Sequence, residues 1–245
     1  MLSDLMEFLL NETAAKTFTI TDDLDREASY SDKQLHQIRA TPQPQKPQIQ
    51  VCTLVGLNDL IAGKLEAIDF QGCFLIHVED EKTVRLIERL SDDHGQRNCL
   101  VVARPVEFTK FNFGAFIPQE EFILKVSSLF ADGGDKEYVL NVAGSLTTEG
   151  TNVSTDDGFS QKVILQAGLS HKKEVTLKKK VSLAPYRTFP EVSQPMSDFV
   201  LRARTGESGP SLCLIEADGG KWKLDAIGTI REYMGSFDLG IPIIA

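Results

Sequence analysis

The run Gln161-Lys-Val-Ile-Leu-Gln-Ala-Gly168, followed by Ser170-His-Lys-Lys173 and Val175-Thr-Leu-Lys-Lys-Lys-Val-Ser-Leu183, is the stretch from which the fold is read. Val175, Leu177, Val181 and Leu183 alternate with polar neighbours, the period of two that marks a strand with one buried face. The stretch predicts two strands joined by a turn near Ser170. A proline-bracketed loop, Ala184-Pro-Tyr-Arg-Thr-Phe-Pro190, then leads to two further apolar runs, Phe199 to Ala203 and Leu212 to Ala217, parted by Thr205-Gly-Glu-Ser-Gly-Pro210. Asp218-Gly-Gly220 ends the second run, and Lys221 to Met234 reads as a helix. The expected class is α+β, mainly antiparallel β-sheet with a few packed helices and an extended N-terminal arm.

Upstream, Thr53 suits the cap of a helix from Leu54 to Ala62, with Gly63 where a left-handed residue is wanted. Cys73 to Val78, Thr83 to Leu90 and Asn98 to Ala103 read as an antiparallel meander, because their connectors are short and polar. Pro118 at a first helical position, Glu120 and Glu121 beside the positive end of the dipole, and one face carrying Phe122, Ile123, Val126, Leu129 and Phe130 predict a helix. Asp132-Gly-Gly-Asp135 stops it, and Tyr138 to Leu146 is expected as a further strand. Phe108, Phe111, Phe113 and Phe116 around Gly114 could stack nucleobases, but a phenylalanine loop entering a helix is read as core.

Residues 1–50 are expected as a separate N-terminal region and 51–245 as the main domain. Ser3 can cap a short helix with Leu2, Leu5, Met6 and Leu9 on one face. From Asn11 to Gln50 apolar residues thin out and the segment closes with Thr41-Pro-Gln-Pro-Gln-Lys-Pro-Gln48, so it is read as a spacer, in preference to an arm that clasps a neighbouring subunit.

The net charge of −9 over 245 residues opposes general nucleic-acid binding, which needs a dominant Lys/Arg field. Cys52, Cys73, Cys99 and Cys213 lie in apolar runs without C-x-x-C spacing and are expected as reduced core residues. No leader or bilayer-spanning run is apparent, so membrane partners are not expected and the expected address is cytoplasmic. His36, His77, His94 and His171 have no metal-ligand spacing; no metal or cofactor is expected, and none of the nucleotide or hydrolase motifs is present. Thr155-Asp-Asp-Gly-Phe-Ser160 is better explained by turn chemistry than by a calcium loop. Catalytic residues are not nominated.

The candidate contacts are basic. Lys172, Lys173, Lys178, Lys179 and Lys180 place charge on one hairpin, with Lys178 and Lys180 on its polar face and Lys179 directed with Val181 toward the apolar one. A solvated strand face guarded against edge pairing is the simpler reading; a phosphate or nucleotide contact is the sharper one. Arg187 is read as a loop anchor paired with a carboxylate rather than as a ligand contact. Gly219-Gly220 is read as a strand-to-helix turn, although such a turn can offer amides to a phosphate.

Thr83-Val-Arg-Leu86, Phe116-Ile-Pro-Gln-Glu-Glu-Phe-Ile123, Asp156-Asp-Gly-Phe-Ser-Gln161, Leu183-Ala-Pro-Tyr-Arg-Thr-Phe189 and Glu216-Ala-Asp-Gly-Gly-Lys-Trp222, in this order, resemble the YfdQ-like family of phage and prophage proteins, a domain of unknown function. The resemblance spans about Val51 to Met234. It implies a phage or prophage origin and expression in a bacterial host's cytoplasm, and supplies no activity, catalytic residue or cofactor. Two functions are expected: a non-enzymatic protein assembling with itself into a homo-oligomer, ring- or shell-like, or a binding module in host defence or phage DNA metabolism that captures a nucleotide, a nucleic acid or a host protein. An enzyme ranks last.

Overall fold

The computed structural model describes residues 3, 5–6, 16–21, 27–31, 37–40, 48–63, 70–90, 97–107, 109–146, 161–167, 171–206 and 209–245. The chain divides into two compact units, one of residues 1–47 with 90–98, the other of residues 48–89 with 99–245. In the first, β1 (Thr17–Thr21), β2 (Glu27–Ser31) and β3 (Gln37–Ala40) form an antiparallel sheet in that order. Strands therefore stand where the sequence reading places a spacer. Alternation is present in Thr17-Phe-Thr-Ile-Thr21, but its low apolar density hid it. Ser3, Leu5 and Met6 are helical; the rest of the expected first helix and the prolines at 42, 44 and 47 lie outside the described residues.

The second unit begins with β4 (Ile49–Val51) and α1 (Leu54–Ala62). Thr53 caps α1 as expected, its hydroxyl accepting from the Gly56 amide at 2.9 Å. Gly63 follows the helix, but at φ −72° it remains right-handed. After α2 (Phe70–Cys73) come β5 (Phe74–Asp80), β6 (Thr83–Glu88) and β7 (Cys99–Ala103), the expected antiparallel meander. β8 (Ile117–Pro118) leads into α3 (Gln119–Leu129), so Pro118 precedes the helix rather than opening it.

Residues 138–146, expected as a strand, are instead helical: α4 runs Lys136–Ser145. Val139, Val142 and Ala143 are its buried residues, the i, i+3, i+4 spacing of a helical face. The two helices cap one another. Gln119 at the start of α3 donates through Nε2 to the Ala143 and Leu146 carbonyls at the end of α4, at 2.5 and 3.2 Å. Lys136 at the start of α4 donates through Nζ to Phe130 O at 2.7 Å and Ser127 O at 3.1 Å at the end of α3. Each side chain thus satisfies carbonyls that a helix end leaves without intrahelical partners.

β9 (Lys162–Ala167) and β10 (His171–Thr176) form the expected antiparallel hairpin. Gln161 ahead of it is buried and pairs through its side-chain amide with both backbone groups of Ala203. The expected single strand from Val175 to Leu183 is broken: 177–180 is irregular, and β11 (Val181–Leu183) joins another sheet. Leu177, Val181 and Leu183 are nevertheless all buried. β12 (Ser197–Gly206) and β13 (Gly209–Glu216) make the expected hairpin; α5 (Trp222–Gly235) and β14 (Ile243–Ile244) complete the chain.

Besides the β1–β2–β3 sheet and the β9–β10 hairpin, two larger sheets result, each with its own core. The order β11-β12-β13-β8 is wholly antiparallel and packs against α3 and α4, with Phe122, Phe130, Phe199 and Leu212 buried between. The order β14-β5-β6-β7-β4 adds a parallel strand at each edge of the meander and packs with α1 and α5 around Leu54, Leu57, Ile76 and Ile230. The fold is α+β with mainly antiparallel sheets. Among the described residues no helix is long and apolar enough to cross a membrane. Phe111 is core, as expected; Phe108 lies outside the described residues, as does Thr147 to Ser160. The cysteine expectation is corrected: all four are free, but only Cys213 is buried, while Cys52 in a bend and Cys73 at the end of α2 are exposed.

Gly134, in the turn between α3 and α4, has φ +54°, and a Cβ there would overlap the Ser182 carbonyl oxygen. Gly144, in α4, is helical with open space beside it. Gly134→Ala is expected to cost about 2 kcal/mol and lower Tm by about 4–8 °C. Gly144→Ala is expected to gain about 0.5–1 kcal/mol. Thermal denaturation of the two variants checks the opposite signs.

Candidate ligand cleft

Among the described residues the lysines of the basic run do not gather at one site. Lys172 and Lys173 lie on β10, and their side chains are outside the described residues. Lys178 to Lys180 fall in the irregular segment beyond it, where each finds its own environment. Lys178 Nζ is 2.6 Å from Asp135 Oδ1 and lies 4.6 Å above the centre of the Tyr138 ring. Lys180 Nζ is 3.3 Å from Asp198 Oδ2. Lys179 is exposed. Its expected direction toward the apolar face is overturned, because the strand breaks at 177–180 and the alternation no longer dictates where it points.

Asp135 does more than pair a lysine. Its other oxygen accepts from the Ser182 amide at 2.9 Å, so one carboxylate joins the start of α4 to β11. The hydrogen bond from Lys178 and that from Ser182 hold the Asp135 carboxyl below its ordinary value, outweighing the opposite effect of burial.

Arg187 is the anchor the sequence reading expects. Its side chain is only 9% exposed, and its Nη1 lies 2.5 Å from Glu216 Oε1 at the end of β13. Nη2 donates to the Ser197 hydroxyl. The guanidinium carbon lies 4.0 Å over the Trp222 ring, with Phe199 and Phe113 at 5.7 and 5.9 Å. Burial pushes its pKa down, against the fields of Glu216, Asp218 and Glu81. Nε is buried with no hydrogen-bond partner.

Arg187 lines a cleft of about 540 Å³ within the second unit. Five separate segments build it. The β5–β6 turn contributes Asp80, Glu81 and Lys82; the coil after β7 contributes Arg104, Val106, Glu107 and Lys110. The end of α3 gives Leu129, the loop after β11 gives Pro185 and Tyr186, and the start of α5 gives Trp222 and Lys223. Phe111 and Phe113 add apolar surface. Charges on the lining are Lys82, Arg104, Lys110, Arg187 and Lys223 against Asp80, Glu81 and Glu107, five positive and three negative. The local balance is +2 in a chain whose net charge is −9. Arg187 is committed to Glu216, and Lys223 lies 4.0 Å from Glu81. Among the described residues Lys82, Arg104 and Lys110 have no carboxylate partner.

The Asp218-Gly-Gly220 turn is explained internally. Gly219 and Gly220 have φ +65° and +83°, and Asp218 Oδ1 accepts from the Gly220 amide at 3.0 Å. Desolvation acts to raise the Asp218 carboxyl, but hydrogen bonds from Gly220 and Ser197 and the nearby Arg187 bring it below its ordinary value. Among the described residues no group of three or more His, Cys, Asp and Glu side chains could hold a metal ion.

Of the expected contacts whose side chains are described, only Arg187 belongs to the cleft. Lys82, Arg104, Lys110, Lys223 and Tyr186 were missed, since no short window of sequence holds more than one or two of them between positions 82 and 223. Compared with protein-family models, characterised proteins and solved structures, the chain matches none.

Asp135 gives a pH test. Because its folded-state pKa is depressed, its contribution is present above the ordinary carboxylate value and lost as pH falls through the lowered one. Asp135→Asn is expected to be less stable than the parent at pH 7, with the gap narrowing toward pH 3. Urea unfolding at both pH values measures it, and a gap that does not change contradicts the assignment.

Proposed function

We propose that this chain is a phage- or prophage-encoded, non-enzymatic binding protein of the host bacterial cytoplasm, whose cleft captures a multiply charged anion. The phage origin rests on the YfdQ-like motifs. The observation that carries the binding role is the set of three cations, Lys82, Arg104 and Lys110, without carboxylate partners around an apolar floor. A cleft of this size is typical of small-molecule sites, which combine apolar walls with a few converging polar groups. Unpaired cations grouped in a net acidic protein repel one another, and a bound anion relieves that repulsion.

Thermal shift with ATP, tripolyphosphate and citrate tests this reading. An anion at a hundred times its Kd should add about 2.7 kcal/mol and raise Tm by roughly 5–10 °C. Arg104→Glu/Lys110→Glu should remove the shift while leaving the ligand-free Tm close to the parent, since both side chains are exposed. A parent protein unmoved by all three anions refutes the binding role.

Self-assembly is favoured by a separate observation, on β1. It is an edge strand whose five residues are all exposed, and it carries neither charge nor proline. Natural edge strands are usually guarded by such residues, and an unguarded one is a template for pairing. The second reading is therefore that β1 pairs with β1 of another copy, building a homo-oligomer. Ile20 is 50% exposed, so Ile20→Lys should leave the protomer folded and reduce the solution mass. Light scattering after size exclusion decides: a parent mass equal to the 27.1 kDa chain, or a variant mass equal to a larger parent's, removes this reading.

A further inference from the structure

The cleft carries more than positive charge, and the arrangement narrows what it takes. Resting on the anion-binding role above, we infer that its ligand is a nucleoside phosphate, with the base on Tyr186 and the phosphates on Arg104, Lys110 and Lys82.

Three features of the lining point there together. First, the lining cations that have no carboxylate partner among the described residues number three and come from two segments, the β5–β6 turn and the coil after β7. A monocarboxylate needs one such group; a di- or triphosphate chain uses all three. Second, Tyr186 stands on the same lining with 41% of its surface exposed. Its backbone is fixed, since its amide donates to Leu129 O at 2.9 Å and the adjoining Pro185 bridges to Phe130. An exposed aromatic side chain on a fixed backbone is a stacking platform for a base. The other aromatic side chains are already used: Arg187 covers Trp222, and Phe113 stacks on Phe199 with ring centres 5.1 Å apart.

Third, the lining also holds carboxylates. Asp80, Glu81 and Glu107 would repel a plain polyanion. They suit a ligand that also donates hydrogen bonds, as ribose hydroxyls and exocyclic amines do. Anion, flat ring and donors in one molecule describe a nucleotide. A free nucleotide and the end of a single strand share this chemistry, and the cleft volume suits the first.

Isothermal titration of the full chain tests the inference with ATP, UTP, adenosine, tripolyphosphate and an eight-residue oligothymidylate. The expected result is that ATP or UTP binds at least tenfold more tightly than adenosine or tripolyphosphate. Tyr186→Ala should weaken the nucleotide about tenfold, within the range for loss of one stacked base, and leave tripolyphosphate affinity unchanged. Oligothymidylate binding tighter than both nucleotides, and weakened by Tyr186→Ala, assigns the same chemistry to a nucleic-acid end. Tripolyphosphate equal to ATP with Tyr186→Ala silent overturns the nucleoside assignment while leaving anion capture intact. No heat with any of the five overturns both.

Discussion

The guanidinium of Arg187 is the charge that the surrounding structure has to accommodate. Withdrawing a cation from water is costly, and an ion pair recovers that cost only with good geometry and further hydrogen bonds. Here Glu216, Ser197 and the Trp222 face are supplied by β13, β12 and α5, so three elements must be in place before the loop can close. The same loop is fastened along its length. Ala184 O accepts from Ala131, Thr188 donates through its hydroxyl to Glu81 O, and Glu191 accepts from the first amide of α1. Gln194 turns back to bind the Arg187 and Thr188 amides. Phe189 and Val192 then enter the core beneath the five-stranded sheet, while Leu183, a few residues earlier, belongs to the other core. The loop is thus the strap between the two cores, and the cleft lies beside it.

Such a strap is partly legible in the sequence. Prolines at 185 and 190 announce a rigid corner, and an arginine within that corner, between Tyr186 and Thr188, announces a paired anchor. What cannot be read is the partner, because Glu216 lies 29 positions on and nothing local distinguishes it from Glu191 or Glu174. The hairpins β9–β10 and β12–β13, the meander and the helix at Leu54 were legible because their turns and caps are local chemistry. Lys136 to Ser145 was not. Its sequence, Lys-Glu-Tyr-Val-Leu-Asn-Val-Ala-Gly-Ser145, contains two β-branched valines and the alternating set Tyr138, Leu140 and Val142, which favour a strand reading, and a glycine that weakens a helical one. What makes it helical is tertiary: Lys136 and Gln119 each close the other helix's end, and that exchange needs both helices folded. Propensity is overridden by packing that no window of sequence contains.

The lysine run makes the converse point. Five lysines within nine residues stand out in a sequence, yet prominence in the chain is not proximity in space. Lys178 and Lys180 each go to a different carboxylate, Asp135 and Asp198, and their charge is spent on holding α4 and β12. The cleft cations that have no carboxylate partner among the described residues sit instead in segments where each is one charge among mixed neighbours, as in Glu81-Lys-Thr83 and Thr109-Lys-Phe111.

The coil from Arg104 to Phe113 is where structure and binding meet. It is tied at its start, where the Arg104 amide donates to Val51 O, and just beyond its end, where Gly114 donates to Leu214 O. Between those ties its described residues form no helix or strand, and Val106 is 67% exposed. Segments with few backbone hydrogen bonds and little buried apolar area open at the lowest free-energy cost in a protein. Arg104 and Lys110 stand on this sparsely bonded coil, which Phe111 anchors in the core, while Tyr186 and Arg187 stand on a wall fastened by several hydrogen bonds. A ligand bridging the two must offset the entropy of ordering that coil. Fixed ends limit the cost to the residues between them, so the strap supplies the geometry and the coil supplies the adjustment.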